Sequence, residues 1–199
     1  MSANPQALQL PVGVLRMLAS APHRLMFFIG ATNVLLAMSW WAMWLVDARW
    51  GVFGLPAPAI PAGWLHALLM QYQVLPSFMF GFLLTVFPRW MNLPELPRSR
   101  YVPVGVGMLG GQLLTLIGLW AGLPWLKAGA ALTILGWSIG TALLVRLAYQ
   151  EAGRTWHALS CVFALSFGLL GLTAYMLFLF SFDARLMFAS IKIGSIAVL

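Results

Sequence analysis

The sequence predicts an all-α fold, a polytopic bundle of transmembrane helices with five full spans and an incomplete sixth. Three observations predict it. Of 199 residues, 62% are hydrophobic and only 8% charged, where a soluble domain carries about 25% charged residues. Mean hydropathy is +0.91. The apolar residues also gather into charge-free runs long enough to cross a bilayer, which takes about 20 residues.

Those runs are Leu25–Val46, Trp64–Pro88, Tyr101–Leu126, Ala128–Val145 and Thr155–Phe182. GLPWLK separates the third from the fourth, with Gly122 and Pro124 marking the turn. A sixth run, Leu186–Leu199, has fourteen residues and contains Lys192. At 1.5 Å per residue it reaches about 21 Å, short of a core of about 30 Å. The expectation is a re-entrant last helix, or a chain that is one half of a longer protein. Residues 1–24 form an N-terminal cytoplasmic or interfacial segment, and 25–199 form the bundle. Arg16 interrupts the apolar part of that segment, so it does not read as a cleaved signal. LPVGVLRMLAS could lie on the membrane surface, but a disordered lead-in is the preferred expectation.

Basic loop residues set the orientation. Arg16, Arg24, Arg89, Arg98, Arg100, Arg146 and Arg154 fall on one side, and Arg49, Lys127 and Arg185 on the other. The positive-inside rule places the N-terminus in the cytoplasm. The net charge of +7 is therefore loop charge facing a lipid bilayer. It is too sparse to form a nucleic-acid binding face. Trp40, Trp41, Trp44, Trp50, Trp64, Trp90, Trp120 and Trp125 fall near span ends, as an aromatic belt requires.

Several chemistries have no support in the residues. The single Cys161 cannot form an internal disulfide, and its apolar neighbours mark it as a packing residue. No CxxCH, HExxH, GxSxG or phosphate-binding loop occurs. Asp47, Glu95, Glu151 and Asp183 all sit at loop positions, so no intramembrane acid supports a proton-coupled transporter. Three GxxxG pairs, Gly107/Gly111, Gly118/Gly122 and Gly136/Gly140, let helices approach closely. They serve either packing within the chain or a homo-oligomer.

The second run carries the candidate chemistry. On a helical wheel His66, Met70, Gln73 and Ser77 follow i, i+4, i+7, i+11 and form one polar stripe, with Gln71 off it. Such a stripe should face the bundle interior. Pro76 cannot donate to the carbonyl of Tyr72, so a kink is expected near the membrane centre. An imidazole can ligate haem iron or copper, and a thioether one turn on suits haem iron or Cu(I). The stripe equally suits a hydrogen-bonded packing seam or the wall of a substrate path. Asn33, Gln112 and Thr115 are further candidates for polar contacts between helices. The other histidines, His23 and His157, fall at the opposite membrane surface from His66, so the three cannot converge on one metal.

Two clusters carry a resemblance. PHRLMFFIGA at residues 22–31 and FMFGFLLTVFPRWMNLP at residues 78–94 resemble the start of the first span and the exit of the second in the NnrS family. These are haem- and copper-associated inner-membrane proteins of the bacterial nitric oxide response. The motifs cover the first half of the chain, and the rest agrees in span spacing. Members carry about twice as many spans, so the resemblance implies an N-terminal half or a shortened relative. Where the family commonly shows W-H-x-H-E-M, this chain reads Leu65-His66-Ala67-Leu68-Leu69-Met70. His66 and Met70 match, while the second histidine and the glutamate are replaced by Leu68 and Leu69. The resemblance implies haem or copper as cofactor. It makes His66 and His23 the candidate metal ligands, Met70 an auxiliary ligand and Gln73 a supporting hydrogen bonder. It leaves open whether the protein is an enzyme, a redox or nitric-oxide-related activity being one option. A small-molecule transporter or channel along the second span, and a non-catalytic membrane scaffold, remain the alternatives.

Overall fold

A computed structural model describes residues 10–150 and 156–198. Within them lie α1 (Leu10–Leu18), α2 (Pro22–Trp50), α3 (Ala62–Trp90), α4 (Arg98–Ala121), α5 (Leu123–Gln150), α6 (Trp156–Ser181) and α7 (Ala184–Val198). No strand occurs among the described residues. Helices α2 to α6 are each long and apolar enough to cross a membrane. Short loops make sequential helices antiparallel neighbours. The tightest pairings are the α4–α5 and α6–α7 hairpins and the α2–α3 contact.

Helix α3 is the centre of the bundle. In its most apolar stretch 61% of residues are buried, against 33% in α2. It touches α2, α5 and α7. A helix buried on most sides reads as apolar all round, which is why hydropathy alone finds the span but not its faces.

Small residues set the spacing. A Cβ on Gly136 would stand 2.8 Å from the Cα of Gly107, and one on Gly81 would stand 2.9 Å from the Cβ of Met26. Gly111 abuts Thr133, Gly118 abuts Leu126, and Gly140 lies against the Phe80 ring. Except at Gly122, the GxxxG glycines are thus taken up by packing inside the chain. They gain dispersion contacts that lipid would not supply.

Three expectations need adjustment. The third and fourth spans meet in a tighter turn than GLPWLK implied. α4 ends at Ala121, Gly122 takes a positive φ of 95°, and α5 begins at Leu123. Pro124 falls in the first turn of α5, where its missing N–H costs nothing. Residues Leu10–Leu18, expected as a lead-in, are helical, and the Tyr101 hydroxyl donates to the Ala19 carbonyl at 2.7 Å just beyond them. The distortion expected at Pro76 includes a π turn just upstream, at Met70–Val74. There the Leu75 N–H donates to the Met70 carbonyl five residues back, so the widened turn precedes the proline, which opens the α-helical segment Leu75–Trp90.

Asp47, read as a loop residue, belongs to the last turn of α2. Its carboxylate accepts backbone N–H groups of Phe53, Gly54 and Leu55 at 2.6, 2.9 and 2.7 Å, ordering the chain toward α3. Arg154, counted toward the orientation, and Glu151, read as a loop acid, lie outside the described residues, as do residues 1–9, Thr155 and Leu199.

Candidate functional site

The π turn divides the expected stripe. An extra residue in one turn rotates everything beyond it by about 100°. His66 precedes the π turn and Met70 opens it, and the two stay one turn apart on one half-buried face. Gln73 and Ser77 lie beyond its start and are 5% and 0% exposed. The four residues therefore form two pairs with different surroundings.

The inner pair belongs to a hydrogen-bonded seam joining four helices. Gln73 Nε2 donates to Thr115 Oγ1 of α4 and Thr133 Oγ1 of α5, both at 3.0 Å. Asn33 Nδ2 of α2 donates to the Gln73 carbonyl at 3.2 Å and to Ser77 Oγ at 3.4 Å. Ser77 Oγ donates to the same carbonyl at 2.6 Å. Gln112 Nε2 of α4 donates to the Asn33 carbonyl at 2.6 Å. Thr115 and Thr133 hydroxyls direct their protons to the Gly111 and Gly129 carbonyls, so their oxygens are free to accept from Gln73. Asn33, Gln112 and Thr115 were legible as polar glue. Thr133 was not, although its place between Gly129 and Gly136 on the close-packed face was a usable signal.

The residues between the two pairs bind the last helix. Gln71 Nε2 donates to Ser195 Oγ at 2.8 Å, and the Tyr72 hydroxyl donates to the Ser190 carbonyl at 2.6 Å. Gly171 and Gly194 leave room for the Tyr72 ring. The short sixth run is thereby fixed against the central helix.

The outer pair is arranged differently. The His66 ring stacks on Trp41 of α2, with centroids 4.5 Å apart and planes at 16°. Trp41 in turn stacks on Trp44 at 5.4 Å and 8°. His66 Nδ1 is buried and has no hydrogen-bond partner among the described residues. Met70 packs at the edge of the core, half-buried. An imidazole held flat with a free nitrogen, and a thioether one turn away, have the chemistry to bind copper(I) or haem iron.

The fit is partial. No cluster of three or more His, Cys, Asp or Glu side chains occurs among the described residues. Leu68 and Leu69, where the chain departs from the His-Glu pattern, are buried and line an interior cavity with Gln73, Thr115 and Tyr175. That cavity is about 10 Å³, room for about one water. A porphyrin cannot enter it, and His66 is not among the residues that line it.

His23 stands apart. Its backbone N–H donates to Thr85 Oγ1 at 3.1 Å, and Thr85 Oγ1 lies 3.4 Å from its Nδ1. It occupies the first turn of α2, and Trp41, beside His66, comes eighteen residues later. The two histidines are therefore separated by about 27 Å along the helix. They cannot share a metal ion, as their predicted depths required. His157 is exposed in the first turn of α6.

No curated protein and no solved structure matches the chain. A family profile described as "NnrS protein" matches residues 17–199. That match runs from the end of α1 through every span and includes both the seam and the His66–Met70 pair, so the chain belongs to the NnrS family.

Proposed function

We propose that this NnrS-family protein serves the nitric oxide response in the bacterial inner membrane, holding copper or haem iron through His66 with Met70 as a soft auxiliary ligand. The observation that carries the reading is the His66 ring, stacked on Trp41 with a buried nitrogen left unpaired. Stacking fixes the ring plane, so little side-chain order is lost on binding. A bound metal would supply a redox-active centre. The chain would supply the ligand atoms and their orientation, with the remaining ligands coming from beyond the described residues. In this reading Gln73 supports the bundle and does not touch the metal, since its amide nitrogen donates to two threonines. His23 anchors the cytoplasmic end of α2, the side on which basic loop residues gather.

The test is an absorption spectrum, oxidised and reduced, with copper analysis, on detergent-purified protein from cells replete in haem and copper. A Soret band or stoichiometric copper that disappears in His66→Ala is the expected result. Folded wild-type protein carrying neither would reject the reading.

A further inference from the structure

We infer that the groove between α2 and α4 binds one anionic phospholipid, with an acyl chain between the helices and the phosphate held by Arg24 and Arg98. The groove has a volume of about 280 Å³ and an apolar lining. Leu25 and Phe28 form its α2 wall, and Val102, Val106 and Leu109 its α4 wall. Gly105 lies on its floor, where a Cβ would stand 2.8 Å from Ile29 Cδ1. Phe28 and Val106 are 50% and 58% exposed, so the groove opens to the outside of the bundle. Both helices are long and apolar enough to cross a membrane, which makes lipid tails the ordinary neighbours of that opening.

The basic groups gather at one end of the groove. There the Tyr101 hydroxyl, in the first turn of α4, donates to the carbonyl of Ala19, a lining residue. The Arg98 guanidinium lies beside the same hydroxyl. Arg98, Val102, Gly105 and Leu109 follow i, i+4, i+7, i+11 and share one side of α4. Arg24 stands one turn before Phe28 on α2, and its Nη1 donates to Ser20 Oγ at 3.1 Å, next to Ala19 in the chain. The two guanidiniums therefore converge on the Ala19–Ser20 segment from two helices. Side chains lean toward the N-terminus of their helix, so the charges stand beyond the apolar walls rather than among them. Both arginines are exposed. Neither has a carboxylate partner among the described residues, where the one ion pair is Arg89 with Glu95 at 3.6 Å.

The chemistry of the occupant follows from this polarity. Two unpaired cations at one end of an apolar groove complement an amphiphile with an anionic head. A zwitterionic head group would bring its own cation against the guanidiniums. From Val102 to Leu109 the walls extend about 10 Å along the axis, a third of a hydrocarbon core of about 30 Å. A spanning partner helix would overrun so short a groove, whereas part of an acyl chain fills it.

The experiment reconstitutes the full chain in phosphatidylcholine vesicles that contain a trace of phosphatidylglycerol with a photoreactive acyl chain. After irradiation the adducts are mapped by mass spectrometry, and the same tail on phosphatidylcholine serves as the reference. Phosphatidylglycerol should label the peptides carrying Phe28 and Val106 at least about fivefold more than the reference, one guanidinium near a membrane surface being worth about that factor. Arg24→Gln together with Arg98→Gln should remove the preference. Val106→Trp, which fills the groove from an exposed position, should abolish labelling there by either lipid. Both variants should elute as folded protein, since they change exposed side chains. Equal labelling by the two lipids, or a preference that survives loss of both arginines, would overturn the proposal. So would a photo-crosslinking residue at Val106 that captures a protein, a second copy included, in the membranes of the producing cells.

Discussion

The two ends of the α3 polar stripe share a helix and differ in nearly everything else. Toward the bundle centre, Gln73 and Ser77 are almost fully buried and tied to α2, α4 and α5. One π turn away, His66 and Met70 are half-buried, and His66 touches an aromatic face in place of a hydrogen-bond partner. The difference teaches that polarity inside a membrane can serve two ends. Where amide and hydroxyl groups bridge several helices, it fixes helix register, even with the Asn33, Gln73 and Gln112 side-chain oxygens left without a partner among the described residues. Where a nitrogen is left over, it is available to a ligand. The π turn at Met70–Val74 is the device that lets one helix do both.

Breaking the helix contact beneath the seam should have the largest effect. Gly136→Leu would drive a side chain into the Gly107 backbone, and overpacking of this kind costs about 3 kcal/mol or more where backbone cannot move. The expected outcome is loss of a monodisperse folded peak in size-exclusion chromatography. If the glycines served an oligomer instead, the variant would stay folded and shift to a smaller species.

Next comes the seam itself. Gln73→Leu removes two interhelical hydrogen bonds, each worth about 0.6 kcal/mol on average between membrane helices. A loss of about 1–2 kcal/mol is expected in unfolding titrations, with copper or haem content per folded protein unchanged. Asn33→Leu should cost about 1 kcal/mol by the same measurement, since its amide contacts Gln73 and Ser77 more loosely.

Much of this architecture is legible in the residues themselves. Hydropathy located the five long apolar helices because the bilayer demands about 20 apolar residues whatever their partners. Opposite depths for His23 and His66 followed from span order alone. The division of the stripe was not legible, because a wheel at a constant 100° per residue cannot contain a π turn. Pro76 signalled a distortion but not its kind or its place upstream. Thr133 and Tyr72 looked like ordinary span residues, and only their contacts with Gln73 and Ser190 give them roles.

The smallest structural effects should come from the outer pair. Met70→Leu conserves volume, so stability should change by less than about 1 kcal/mol, while copper(I) affinity in a competition titration falls about tenfold. His66→Ala removes one stacked ring pair, worth about 0.5–1.5 kcal/mol.

The most direct test of this division of labour sets His66→Ala beside Gln73→Leu and records bound copper or haem and thermal stability on the same purified samples. A crossed result is predicted, with His66→Ala losing the metal while keeping most of its stability, and Gln73→Leu losing stability while keeping the metal. Equal metal loss in both folded variants, or metal retained without His66, would contradict it.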